Sequence, residues 1–308
     1  MPKTKTESVI RIDNLTKKFG RNKVLDGLDL DVKKGEVFGF LGPNGAGKTT
    51  TIRVILNILH PSEGSVEIFG LSSKKTKKIH KRIGYLSGDM EYEDNLSGKK
   101  YLKFVDHLYG GGYKDRAIDL AKLFKIDLNA KIGTYSRGNK QKIGLIAAIM
   151  HKPELLIFDE PTSGFDPIMQ SAFSKMITDF KKRGGTVFMS SHILSEVQLL
   201  CDKVAFIKDG SIVGVRDLNG IKNNFTKRIV LLPAISSDKE IEQKLKTIKE
   251  LKILKKTKGK LIYSYDGDIK KLLKFVSNLN IKDIFIEEPD LEEVFLHYYG
   301  DNSRSQDD

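Results

Sequence analysis

The chain has 308 residues, 53 Lys and Arg against 40 Asp and Glu, a formal net charge of +13, and a single cysteine. No run reaches the roughly 18 apolar residues of a membrane-crossing helix, and the start MPKTKTESV lacks an apolar signal core, so a soluble cytoplasmic chain with about two domains is expected. One cysteine, Cys201, excludes an internal disulfide set and reads as a small buried side chain in a reducing compartment.

From Thr226 onward there are 16 Lys and Arg against 15 Asp and Glu, which puts the basic excess in the first 225 residues. Nucleic acid, an anionic membrane face, a polyphosphate or a merely Lys-rich solvated surface would each account for it. The densest run, KKTKKIHKR at Lys74 to Arg82, is interrupted by Ile79 and reads as a solvated loop and helix start.

In chain order, GEVFGFLG at Gly35 to Gly42 reads as an apolar strand. GPNGAGKT follows at Gly42 to Thr49 and fits G-x-x-x-x-G-K-[ST] at every fixed position, between that strand and a helix predicted over Thr49 to Ile58. The glycines turn backbone N–H groups toward phosphate oxygens, the helix N-terminus adds its positive end, Lys48 reaches the outer phosphates, and Thr49 can ligate Mg²⁺. Gly42, Pro43, Asn44, Gly45, Ala46, Gly47, Lys48, Thr49 and Thr50 are therefore the expected nucleotide-phosphate cradle, which by itself does not separate kinases, GTPases, helicases and transport motors. TYSRGNKQKIGLIAAIM at Thr134 to Met150 has a serine, an arginine and a glycine ahead of a helix predicted over Lys140 to Met150. LLIFDE at Leu155 to Glu160 then delivers Asp159 at the C-terminal end of an apolar strand, placed to hold Mg²⁺, with Glu160 beside it to polarise an attacking water. TVFMSS at Thr186 to Ser191 and KVAFIKDG at Lys203 to Gly210 complete a set of strands alternating with helices. That pattern predicts an α/β core with a mostly parallel sheet buried on both faces.

The order of P-loop, YSRGNKQK, LLIFDEPTSGFDP and MSSHILSE resembles the ATP-binding cassette family from about Val9 to Val215. The resemblance implies an ATPase with ATP and Mg²⁺ as cofactors. It also implies that the Ser136 and Gly138 segment closes over ATP bound to a second copy of the cassette. Tyr135, Arg137 and Asn139 depart from the family signature Leu-Ser-Gly-Gly-Gln. By the same resemblance His192 contacts the γ-phosphate, Phe19 in LTKKFG stacks on adenine, and Gly164, Phe165 and Asp166 line the dimer seam. After RIGYLS the family's usual glutamine is replaced by Gly88, and Asp89 is assigned its metal contact.

Beyond the cassette, expected to cover 1–225, RIVLL, IEQKLKTIKEL, ILKKTKGKLIYSY, IKKLLKFVSNL and IKDIFIEE read as β-α-β-β-α-β, a small ferredoxin-like domain over 226–300. PDLEEVFLHYYG reads as a helix with a capping box at Asp290 and Glu293, an ending that resembles cassettes serving ABC-2 type permeases; 301–308 reads as a disordered tail. The leading expectation is an exporter ATPase, peripheral on the inner face of the membrane through its permease, with no nucleic acid partner. The alternatives are a soluble cassette ATPase acting on the ribosome or on DNA. The first of these resembles chains with two P-loops, and the second needs a coiled-coil or zinc-bearing insertion between Lys48 and Ser136.

Overall fold

A computed structural model describes residues 7–218, 227–234, 238–257 and 259–287. The chain divides into two compact units, Met1–Arg216 and Asp217–Asp308.

The first unit carries two sheets. In one, β1 (Ser8–Phe19) and β2 (Asn22–Lys33) form an antiparallel hairpin, and β1 also pairs with β4 (Glu63–Ile68), beyond which lies the short β5 (Leu71–Ser72). The hairpin strands alternate buried and exposed positions, as expected of a sheet with one covered face. The second sheet has six strands in the order β10 (Ser211–Asp217), β9 (Lys203–Lys208), β3 (Val37–Leu41), β8 (Thr186–Ser191), β7 (Leu155–Asp159) and β6 (Ile83–Leu86). Its five strands from β9 to β6 are parallel. Every residue of β3, β7 and β8 is buried, the continuous apolar pattern of strands covered on both faces.

Helix α1 (Lys48–Ile55) follows the P-loop, and the basic run folds as α2 (Thr76–Ile79) and one 3-10 turn, with Ile79 buried between exposed lysines. Helices α3 (Gly98–Leu108), α4 (Lys114–Leu123) and α5 (Arg137–Ile149) come between β6 and β7, and α5 delivers the signature segment. The core continues with α6 (Pro167–Lys182), capped by Asp166, whose Oδ1 accepts from Met169 N at 2.7 Å, and α7 (Leu194–Leu200). Cys201 is buried against Gly39: a Cβ on that glycine would come within 3.0 Å of the sulfur.

The second unit has β11 (Lys227–Pro233), α8 (Asp238–Leu245), β12 (Leu251–Thr257), β13 (Lys260–Tyr265), α9 (Ile269–Val276) and β14 (Ile281–Glu287). Its sheet order β12-β13-β11-β14 is antiparallel throughout, the ferredoxin-like arrangement expected of β-α-β-β-α-β. Ile229, Leu231, Leu261, Tyr263, Leu272 and Val276 form its own core. The expected helix at PDLEEVFLHYYG and the tail 301–308 lie outside the described residues.

Candidate functional site

The carboxyl ends of the parallel strands bring the P-loop, Asp159, Glu160 and His192 together. Gly42 follows β3, and Pro43, Asn44 and Gly45 are exposed, whereas Ala46 and Gly47 are buried and Thr49 and Thr50 half-buried. Gly47 caps α1 with a φ of 105°, a left-handed conformation that favours glycine. No side chain caps the helix, so its first-turn N–H groups and positive end are left for an anion.

Lys48 is 5% exposed, yet its ammonium is fully engaged. Nζ donates to Gly42 O at 2.7 Å and Pro43 O at 3.1 Å and stands 3.2 Å from Glu160 Oε1. The other oxygen of Glu160, Oε2, lies 3.0 Å from His192 Nδ1. Glu160 is thus the centre of a Lys48–Glu160–His192 chain, and it takes a φ of 48°, a left-handed conformation rare for a residue with a side chain.

Asp159 ends β7 and is 2% exposed. Ser190 on the neighbouring β8 donates Oγ to Asp159 Oδ1 at 2.5 Å and accepts from Glu160 N at 3.1 Å. One hydroxyl therefore orients both acids, a link that sequence reading did not find because Ser190 lies 30 residues away and only strand pairing brings it near. The register Asp159↔Ser190 is what does so. Glu196 on α7 makes a second clamp: it accepts from Thr162 Oγ1 at 2.5 Å and from Ser191 Oγ at 3.0 Å, tying the loop after Glu160 to the residue before His192.

Ser136 is the N-cap of α5, its Oγ accepting from Asn139 N at 3.3 Å. The departures around it have structural partners. Tyr135 is buried and donates its hydroxyl to Asp127 O at 2.5 Å. Arg137 reaches the loop after Glu160, donating to Ser163 Oγ at 2.8 Å, and a Cβ on Gly138 would stand 3.0 Å from Gly164 O. Gln141 joins the same loop through Pro161 O at 3.1 Å. Within the chain, then, the signature is fastened to the segment carrying Gly164, Phe165 and Asp166. Phe165 packs on Phe173 and Asp166 caps α6.

Phe19 ends β1 and is 48% exposed, with the Lys17 ammonium 4.8 Å from its ring centroid. It pairs with Asn22 in the hairpin whose Leu25 abuts Gly47. In the loop after β6 it is Gly88 that faces Asp159, a Cβ there falling 3.1 Å from its carbonyl oxygen, while Asp89 is exposed and its carbonyl accepts from Ser87 Oγ at 3.3 Å. Among the described residues no group of three or more His, Cys, Asp or Glu is placed to hold a metal ion.

A P-loop at the switch from strand to helix, with paired acids at the end of a parallel strand one removed from it in the same sheet, defines a P-loop nucleotide hydrolase. The sequence model described as ABC transporter matches residues 25–163. The bacitracin transport ATP-binding protein BcrA of Bacillus licheniformis is 34% identical across 95% of this chain and 98% of its own. The linearmycin resistance ATP-binding protein LnrL of Bacillus subtilis is 30% identical across 95% and 98%. A solved ATP-binding subunit of an ABC transporter superposes with a TM-score of 0.66 at 26% identity, covering 71% of this chain and 93% of that one. A dimeric ATP-binding cassette bound to ADP and Pi shares the fold with a TM-score of 0.63 at 22% identity over 68% of this chain and 98% of its own. The chain belongs to the ATP-binding cassette family and is an ATP-hydrolysing subunit that powers a membrane transporter. No helix among the described residues is long and apolar enough to cross a membrane.

Proposed function

We propose that this protein hydrolyses Mg-ATP at two composite sites formed by two copies of the cassette, and that it drives an exporter whose permease is of the ABC-2 type. The observation that carries the catalytic part is the Lys48–Glu160–His192 chain beside Asp159. Lys48 and the free N–H groups of α1 bind the phosphates, and Phe19 offers its exposed ring to adenine. Thr49 and Asp159 would hold Mg²⁺, with Asp89 assigned a further contact, and the ion would neutralise developing phosphate charge. Glu160 takes the proton of the attacking water, and His192, already hydrogen-bonded to it, keeps the carboxylate aimed. Ser136 and Gly138 of one copy close the site of the other. The export reading is supported by BcrA and LnrL, whose names connect them with bacitracin transport and linearmycin resistance. The protein then sits on the inner face of the membrane through its permease, with 1–225 as cassette and 226–300 as an accessory domain.

The test is Glu160→Gln. ATP binding should persist while turnover falls by about 10²-fold or more, the range for a lost general base, and the protein should accumulate as an ATP-held dimer visible by light scattering. A variant that keeps turning over, or never dimerises with ATP, contradicts the assignment.

A further inference from the structure

A cavity of about 960 Å³ opens at the end of the large sheet opposite the P-loop. Arg82 before β6, Glu154 before β7 and Gly185 before β8 line it, whereas Glu160 and His192 follow the carboxyl ends of β7 and β8. Those strands are five and six residues long, which separates the cavity from the nucleotide site by roughly 17–20 Å of sheet. Its volume lies in the range of small-molecule sites.

The walls are chemically two-sided. Leu120 and Leu123 of α4 and Met176 and Phe180 of α6 supply apolar lining, and Leu123 is left 62% exposed. At the polar end, Arg116 of α4 has its Nε shut off from solvent with no hydrogen-bond partner. Loss of hydration, and then the charge of Arg183 after α6, hold its pKa below the usual guanidinium value. Of the three lining carboxylates, Glu154 is taken up by Arg82 through bonds of 2.6 and 2.8 Å, and Glu7 stands 3.8 Å from Lys34. Only Asp179 remains to set against Arg116, Arg183, Lys152 and Lys175. A guanidinium beside a like charge is costly, and an anion held by both groups relieves that repulsion.

We infer that this cavity is a second binding site, taking a small soluble amphiphilic anion: a carboxylate, sulfonate or phosphate head between Arg116 and Arg183, with an apolar body against Leu120, Met176 and Phe180. An occupant would bridge α4, in the helical stretch that leads to the signature, and α6 of the core.

The experiment is calorimetric titration of the full chain with decyl phosphate below its micelle concentration, with inorganic phosphate and decyl glucoside as arms lacking the apolar body or the charge. Decyl phosphate should bind once per chain and at least roughly tenfold more tightly than either, and saturating ATP should not displace it. Arg116→Gln, Arg183→Gln and Met176→Trp, the last filling the cavity, should each weaken it by about tenfold or more while ATP affinity is retained, which also shows that each variant is folded. The inference is overturned by absent binding, by equal affinity for phosphate or the glucoside, by competition from ATP, or by folded variants that bind as well as the parent. Binding to phosphatidylglycerol vesicles without binding of monomeric decyl phosphate would overturn it in favour of a membrane surface.

Discussion

At the scale of single residues the site depends on groups that hold other groups. Lys48 touches two backbone carbonyls and Glu160, so Lys48→Ala should abolish productive ATP binding and turnover while leaving the unfolding midpoint little changed. Equilibrium binding of a fluorescent ATP analogue checks it, and unchanged ATPase activity would remove the P-loop assignment. Ser190 makes a sharper test. It is fully buried, donates to Asp159 and accepts from Glu160 N, so Ser190→Ala frees both acids without removing either. A hydrogen bond to a charged group contributes about 1.5–3 kcal/mol, so turnover at saturating ATP should fall by roughly 10- to 100-fold, with nucleotide affinity changing less. Equal losses in affinity and turnover would mean that Ser190 only supports the P-loop.

At the scale of elements, α6 and the α3 to α5 stretch are held to the core by identifiable contacts. Phe173 of α6 is fully buried with its ring 5.8 Å from Phe158 and 5.9 Å from Phe165. Phe173→Ala should cost about 3–5 kcal/mol by urea denaturation, from lost transfer energy and the cavity left behind; a loss under about 1 kcal/mol would mean that the site collapses freely. His151, after α5, is 5% exposed, stacks on Tyr109 at 3.6 Å, and has Nε2 at 2.9 Å from Ile83 O. Its Nδ1 is buried without a partner, and burial lowers its pKa below the ordinary histidine value. Because the unfolded chain binds this proton more readily than the folded one, the contribution is present above about pH 6.5 and lost as pH falls toward the folded pKa. Stability measured from pH 8 to pH 5 should fall more steeply for the parent than for His151→Phe, and identical profiles would show that other groups carry the acid sensitivity.

At the scale of the whole molecule, the signature serves a partner's nucleotide if the sites are composite. Lys48→Ala and Ser136→Arg would each inactivate both sites of their own dimer. Mixed dimers place both lesions in one site and leave the other intact, so mixing two inactive proteins should recover part of the ATPase activity. Differently tagged chains recovered together, with no activity, would argue against a shared site unless turnover requires two intact ones. The contacts from Arg137 to Ser163 and from Gly138 to Gly164 make this a demanding test. They fasten the signature to the loop after Glu160 of the same chain, so a change at one copy's signature can reach its own catalytic loop.

Much of this was legible in one dimension because the chemistry is local. Backbone N–H groups, Lys48 and Thr49 come from one eight-residue loop, and Asp159 and Glu160 are adjacent, so spacing alone announces a phosphate site. Apolar continuity in β3, β7 and β8 likewise announces strands covered on both faces, and the strand and helix order of 226–300 announces the small antiparallel domain. What needed the folded molecule is what long-range pairing decides. Register between β7 and β8 sets Ser190 against both acids, α7 brings Glu196 to Thr162 and Ser191, and only the packing of α5 reveals that Arg137 and Tyr135, departures by sequence, have partners at Ser163 and Asp127. The same holds for the loop after β6, where the backbone of Gly88 makes the close approach to Asp159 while Asp89 is exposed. A residue's type determines which bonds it can make; which of them it does make depends on neighbours tens of residues away, and no local pattern encodes that distance.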